Sequence, residues 1–111
     1  MTYIEFSEKE DKIVSYLIKG HTEAYNYGED IVCASISATS IMTLNGLIEV
    51  LKIKKLNYEM RDGYIFCDLR NVDEDDLAKS QSLIKSLAIM LESIAKDYPK
   101  NVQFRTRRYE K

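Results

Sequence analysis

The sequence predicts an α+β fold: one mixed or antiparallel sheet with two packed helices, in the order β-β-α-β-β-α-β. Three observations carry that prediction. Short runs rich in β-branched and aromatic residues recur at 2–7, 13–19, 56–61, 64–69 and 102–108. Two longer segments, about 31–51 and 73–96, carry helical signals. Turn residues stand between the strand-like runs, at Glu8–Asp11, Gly20 and Asp62-Gly63. A chain of 111 residues, 45% apolar and 31% charged, is expected to fold as a single globular domain spanning residues 1–111.

Taken in order, Thr2–Ser7 alternates apolar and polar residues and reads as a strand. After the polar turn Glu8–Asp11, Ile13–Lys19 reads as its partner, and Gly20 ends it. Thr22–Glu29 reads as a polar loop, broken at Asn26 and Gly28. Asp30 is placed as the cap of a helix over Ile31–Leu51. Glu49 is the only charged residue in that helix, so it is expected to be buried on nearly all sides. Its length would also suit a membrane span. Ser35, Ser37, Thr39, Ser40, Thr43 and Asn45 dilute the run, however, and favour a helix packed between a sheet and another surface. Leu56–Arg61 and Tyr64–Leu69 flank Asp62-Gly63, a strong hairpin signal. Asp73–Asp76 puts negative charge on the first turn of a second helix, where the macrodipole favours it. Leu77, Ile84, Leu87, Ala88, Leu91, Ile94, Ala95 and Tyr98 form its apolar stripe, and Pro99 closes it. Val102–Arg108 is the last strand, with Arg105, Arg107 and Arg108 read as a solvated edge.

Composition narrows the chemistry. Sixteen basic against eighteen acidic residues give a net charge of -2, which argues against direct nucleic-acid binding. One His and two Cys are too few for a four-ligand Cys/His zinc site or a disulfide scaffold. No metal and no cofactor is expected. The opening Met1–Phe6 lacks a basic segment followed by an apolar core, so no signal peptide is read there. A reducing cytoplasm and two thiols outside any disulfide are the expectation.

The two thiols differ in position. Cys67 shares a strand face with Ile65 and Leu69 and reads as core. Cys33 is expected in the first turn of the apolar helix, at about the third position after Asp30. Unpaired backbone N–H groups and the helix dipole favour an anion there, and a thiolate is the nucleophilic form of cysteine. His21, the only imidazole, lies just after Gly20. The loop between them can reach about 25 Å, enough to fold the strand end onto the helix start. Pattern alone leaves Cys33 open as a nucleophile or as a packed core residue. The substrate loop is read as Thr22, Glu23, Tyr25, Tyr27, Gly28 and Glu29, able to gate a site between His21 and Cys33. Glu23, Glu29 and Asp30 would attract a basic peptide segment.

Gly20-His21-Thr22, six further residues, then Gly28-Glu29-Asp30-Ile31-Val32-Cys33-Ala34 closely resembles the signature of the ribosomal-processing cysteine proteases. That family carries Gly-His-Ala, a loop, then Gly-x-Asp-Ile-Val-Cys-Ala. The twelve-residue separation of His21 and Cys33 matches it, and the likeness runs on through Leu44-Asn45-Gly46. Thr22 departs from the family's Ala. The resemblance implies a bacterial cysteine endopeptidase that removes the N-terminal extension of large-subunit ribosomal protein twenty-seven. It implies a cut after an aromatic and before a small residue. Cys33 would be the nucleophile and His21 the general base and acid. Asp30 either orients His21 or caps the helix. Backbone N–H groups at the helix start would serve as the oxyanion hole. The family's homodimers would cover the excess apolar surface of the first helix and of Leu83, Ile89 and Met90 on the second. Two other readings stay open beside it: a non-catalytic dimeric ribosome-associated binding module, and a thiol redox sensor using Cys33.

Overall fold

A computed structural model of the chain describes residues 1–20 and 27–109, the side chains of 27–30 excepted. Strands β1 (Thr2–Lys9) and β2 (Lys12–Lys19) form an antiparallel hairpin. Its turn residues Glu10 and Asp11 have φ of 52° and 67°, the left-handed conformation that suits the twist of a two-residue hairpin. Ser7 pairs with Ser15 and Glu8 with Ile13, so Val14 is the extra residue of a β-bulge. Strands β3 (Asn57–Arg61) and β4 (Tyr64–Asp68) form the second hairpin, turned by Gly63 at φ 71°. Strand β5 (Val102–Arg108) lies parallel to β1, and the sheet order is β3-β4-β2-β1-β5. The expected element order and mixed sheet are observed.

Helix α1 (Tyr27–Asn45) runs into a π-helical segment, Gly46–Val50, and helix α2 spans Glu74–Asp97. Both pack on one face of the sheet. Ile4, Phe6, Tyr16, Ile18, Ile65 and Cys67 alternate inward along their strands. They join Val32, Ile36, Leu44 and Leu47 beside α2's Ile84, Leu87, Leu91 and Ile94 in one core. Phe6 stacks on Tyr16 with centroids 5.2 Å apart. The helical segments approach closely at Gly46, where a Cβ would stand 2.8 Å from Leu83 Cδ1. The Asp73 carboxylate caps α2, accepting from Asp76 N–H at 2.8 Å.

Four expectations are corrected. The helix begins at Tyr27 rather than Ile31, so Asp30 lies inside the first turns and is not the cap residue. Asn and Gly break helix interiors, but a first turn tolerates glycine and favours acidic residue types. The expected loop therefore shortens, because positions 27–29 are helical. The α1 segment is also not buried all round. Val32, Ile36, Ser40, Thr43, Leu44 and Leu47 form a single buried stripe, while Ile31, Ile41, Met42 and Val50 are exposed. One sheet and two side-by-side helices supply no third layer to cover the other side. Lastly, Tyr98 leaves the α2 stripe: it is the C-terminal cap residue and is exposed.

The bulge in β2 draws on a residue the apolar pattern does not single out. Gln81 of α2 is buried and accepts from Ile13 N–H at 2.7 Å. Its amide donates back to Ile13 O at 2.9 Å. A helix side chain thus satisfies both backbone groups of Ile13, the residue paired with Glu8 beside the bulge.

Candidate active site

Cys33 is the seventh residue of α1, one turn deeper than the sequence suggests. The unpaired N–H groups of a helix start belong to its first four positions, here 27–30. The N–H of Cys33 belongs to the helical ladder, and the dipole acts on its thiol from a turn away. What places the thiol in a chemically useful setting is the surface it faces. Cys33 is half-buried and lines a groove of about 400 Å³. The roof is α1, through Cys33, Ile36, Ser37 and Ile41. The floor is one cross-strand row of the sheet, Ile18, Ile65 and Met60, fixed by the β2–β4 and β3–β4 register.

Gly20 borders the same groove. Its φ is 106°, a conformation L side chains rarely adopt, and a Cβ there would overlap the Met1 carbonyl oxygen. Its N–H donates to Gly63 O at 3.0 Å, and Thr2 N–H to Asn101 O at 2.9 Å. The first bond pins the end of β2 to the β3–β4 turn, and the second ties the start of β1 to the approach of β5. The chain therefore leaves toward residue 21 from a fixed point on the groove wall. His21, Thr22, Glu23 and Tyr25 lie outside the described residues. Tyr27, Gly28, Glu29 and Asp30 are placed by backbone alone, on α1.

Cys67 has the opposite surroundings. It is fully buried on β4, as its strand position predicts. Burial pushes its thiol up to about 12, a trend the adjacent Tyr16 hydroxyl opposes. The Tyr16 hydroxyl is itself raised well above its ordinary value by burial, with the neighbouring Cys67 adding to the effect. That hydroxyl faces the Cys67 sulfur but finds no hydrogen-bond partner of good geometry. A buried thiol held neutral in this way is chemically inert at neutral pH.

The groove also contains residues that the sequence motif does not name. Met60 and Ile41 also line it and are exposed. The hairpin turn Arg61–Tyr64 forms the rim, with Arg61 bonded to Glu59 at 2.7 Å and lying 4.0 Å over the Tyr64 ring. The alternation of β3 gives the face of Met60, but only the register puts it in line with Ile18 under α1.

A partly exposed thiol opening onto a peptide-sized groove, beside the strand end that carries the only histidine, belongs to the class of cysteine hydrolases. Comparison with known proteins gives the family. The model described as "Cysteine protease Prp" matches residues 1–103, and the chain belongs to that family. The chain is 27% identical to the ribosomal processing cysteine protease Prp of Staphylococcus aureus, over 85% of this chain and 87% of the relative. It is 29% identical to that of Bacillus subtilis, over 85% and 86%. SMU.848 from Streptococcus mutans shares the fold with TM-score 0.84 and 25% identity, over 98% of this chain and 96% of that one. S. aureus Prp in complex with a substrate peptide superposes with TM-score 0.79 and 20% identity, over 96% and 100%. The chain is a cysteine protease of the ribosomal-processing type, and the binding-module and redox-sensor readings give way to it.

Proposed function

We propose that this protease removes the N-terminal extension of large-subunit ribosomal protein twenty-seven, cutting after an aromatic and before a small residue. The reading is supported by the Gly20-His21 and Asp30-Ile31-Val32-Cys33 motifs. It is also supported by the relative from S. aureus, whose structures hold a substrate peptide and a covalently linked product peptide. The observation that carries it is that Cys33 and the strand end leading to His21 share one groove.

His21 takes the thiol proton, and the Cys33 thiolate attacks the scissile carbonyl. The tetrahedral adduct collapses as the C–N bond breaks, and His21 gives that proton to the leaving amine. The acyl group stays on sulfur as a thioester. Water then attacks, losing a proton to His21, and the C–S bond breaks to release the acid and restore the thiol. Asp30 follows Glu29 into the helix start and acts by orienting His21. The segment Thr22, Glu23, Tyr25, Tyr27, Gly28 and Glu29 forms the substrate-side wall. The enzyme works as a single domain, in the cytoplasm, as a homodimer, and without direct nucleic-acid contact. The dimer reading rests on the exposed Ile31, Met42, Val50, Ile89 and Met90, which leave an apolar surface uncovered.

Cys33→Ala is expected to fold and to leave the extended ribosomal protein uncut, while Cys67→Ala cuts it. Mass spectrometry of the incubated substrate checks both. Continued processing by the Cys33→Ala variant would overturn the assignment.

A further inference from the structure

The hairpin turn between β3 and β4 carries an acid that the sequence motif does not name. Asp62 lines the same groove as Cys33. Its turn is also fastened to the end of β2, because Gly20 N–H donates to Gly63 O at 3.0 Å. Strands β2 and β4 pair Ile18 with Ile65 and Lys19 with Tyr64. The Gly20–Gly63 bond carries that antiparallel register one step on, and the next step sets position 21 against position 62. His21 lies outside the described residues, but one peptide unit of about 3.8 Å joins it to Gly20. The turn itself does not demand an acid at 62. Gly63 supplies its left-handed residue, at φ 71°, and Asn serves before Gly in such turns as well as Asp does. Arg61, the cation of the hairpin, is held by Glu59 at 2.7 Å and lies 4.0 Å over the Tyr64 ring.

We propose that Asp62 is a positioning residue for His21, its carboxylate holding the imidazole from the sheet side of the groove. This rests on the reading of His21 as general base. When His21 takes the Cys33 proton it becomes a cation, and a carboxylate beside it stabilises that form and fixes the ring. Asp30 and Asp62 stand on different elements, the first on α1 and the second on the hairpin. The other ionisable groups around this corner are Cys33 on α1, Arg61 and Tyr64 on the hairpin, Lys19 on β2 and the Met1 amino group. Glu23, Glu29 and Asp30 follow along the chain from His21. Asp62 is the acid that the sheet brings to position 21, whereas those three come with the connecting segment. Asp62 is exposed, so solvent and salt screen its charge and its effect on the imidazole is modest.

The chain has one histidine, so its imidazole can be read directly. Proton NMR follows the His21 ring through a pH titration in Cys33→Ala, and again in Cys33→Ala/Asp62→Asn. Asparagine removes a charge that favours the imidazolium, so the midpoint should fall by about half a pH unit. In about 0.5 M salt that fall should shrink. With Cys33 present, Asp62→Asn should process the extended substrate with kcat lower by about tenfold and KM nearly unchanged. Asp62→Glu keeps the charge and should recover part of both effects. A role in the turn alone predicts otherwise. Asn-Gly holds such a hairpin, so the urea midpoint, the titration and kcat would all stay at their parent values. That result overturns the proposal, and so does a fall in kcat with an unmoved titration. The imidazole is read without catalysis, so either outcome is distinct from processing by His21→Ala, which overturns the base assignment instead.

Discussion

At the scale of the residue, the chain carries the same side chain in two solvents. Cys33 is half-buried on the groove, and Cys67 is sealed under the helices. Alkylation of the folded protein at pH 7 should therefore label Cys33 alone, with Cys67 labelled only in denaturant, as read by peptide mass spectrometry. Cys67 also makes stability depend on pH. Its folded thiol stays protonated to about 12, while the unfolded thiol ionises near 8.5. The contribution is complete below the unfolded value and is lost as pH rises toward the folded one, at about 1.4 kcal/mol per pH unit. Cys67→Ala should flatten that alkaline decline in urea midpoints measured from pH 8 to 11. Asp68 works on the acid side. The Arg70 guanidinium, held at 2.7 and 2.9 Å, lowers its carboxyl, so its contribution is present near neutrality and fades as pH falls through the carboxylate range. Arg70 is mostly exposed, so solvent screens much of that gain.

At the scale of the element, two positions hold the architecture around the site. Gly20 combines a left-handed backbone with contact against the Met1 carbonyl, so Gly20→Ala meets both strain and overlap. A loss of about 2 kcal/mol or more is expected in chemical denaturation. Because residue 21 follows directly, kcat should fall further than the lost stability explains. Gln81→Leu would leave Ile13 N–H and C=O buried without partners at the bulge. The expected cost is roughly 2–4 kcal/mol, read from urea midpoints, with the groove residues and Cys33 alkylation unaffected in the folded fraction. The acidic start of α2 earned no functional reading, and its role is structural: Asp73 caps the helix, and Asp76 accepts from Lys54 N–H at 3.1 Å, tying the approach to β3 onto α2.

At the scale of the whole molecule, the two helices cover one sheet face and leave their own outer sides bare. Met42, Gly46 and Val50 meet Leu83, Leu87 and Met90 around an apolar hollow of about 590 Å³. The proposed homodimer would cover it. Sedimentation at micromolar concentration should give a dimer, and Met42→Glu with Val50→Glu should give a folded monomer, since both side chains are exposed in the isolated chain. A wild-type monomer at that concentration would refute the dimer.

Much of this was legible from sequence. Alternation and turn chemistry placed all five strands within a few residues, and Asp62-Gly63 marked its hairpin, because these signals are local. The Gly-His and Asp-Ile-Val-Cys motifs likewise pointed to the family. The start of α1 was not legible, since breakers at Asn26 and Gly28 say nothing of whether a helix begins among them. Nor was the one-sided burial of α1, which depends on how many layers a short chain can build. Sequence by itself determined the elements, the separate fates of the two thiols and the protease family. Only tertiary structure decided that Cys33 roofs a groove floored by Ile18, Ile65 and Met60, because cross-strand register joins residues far apart in the chain.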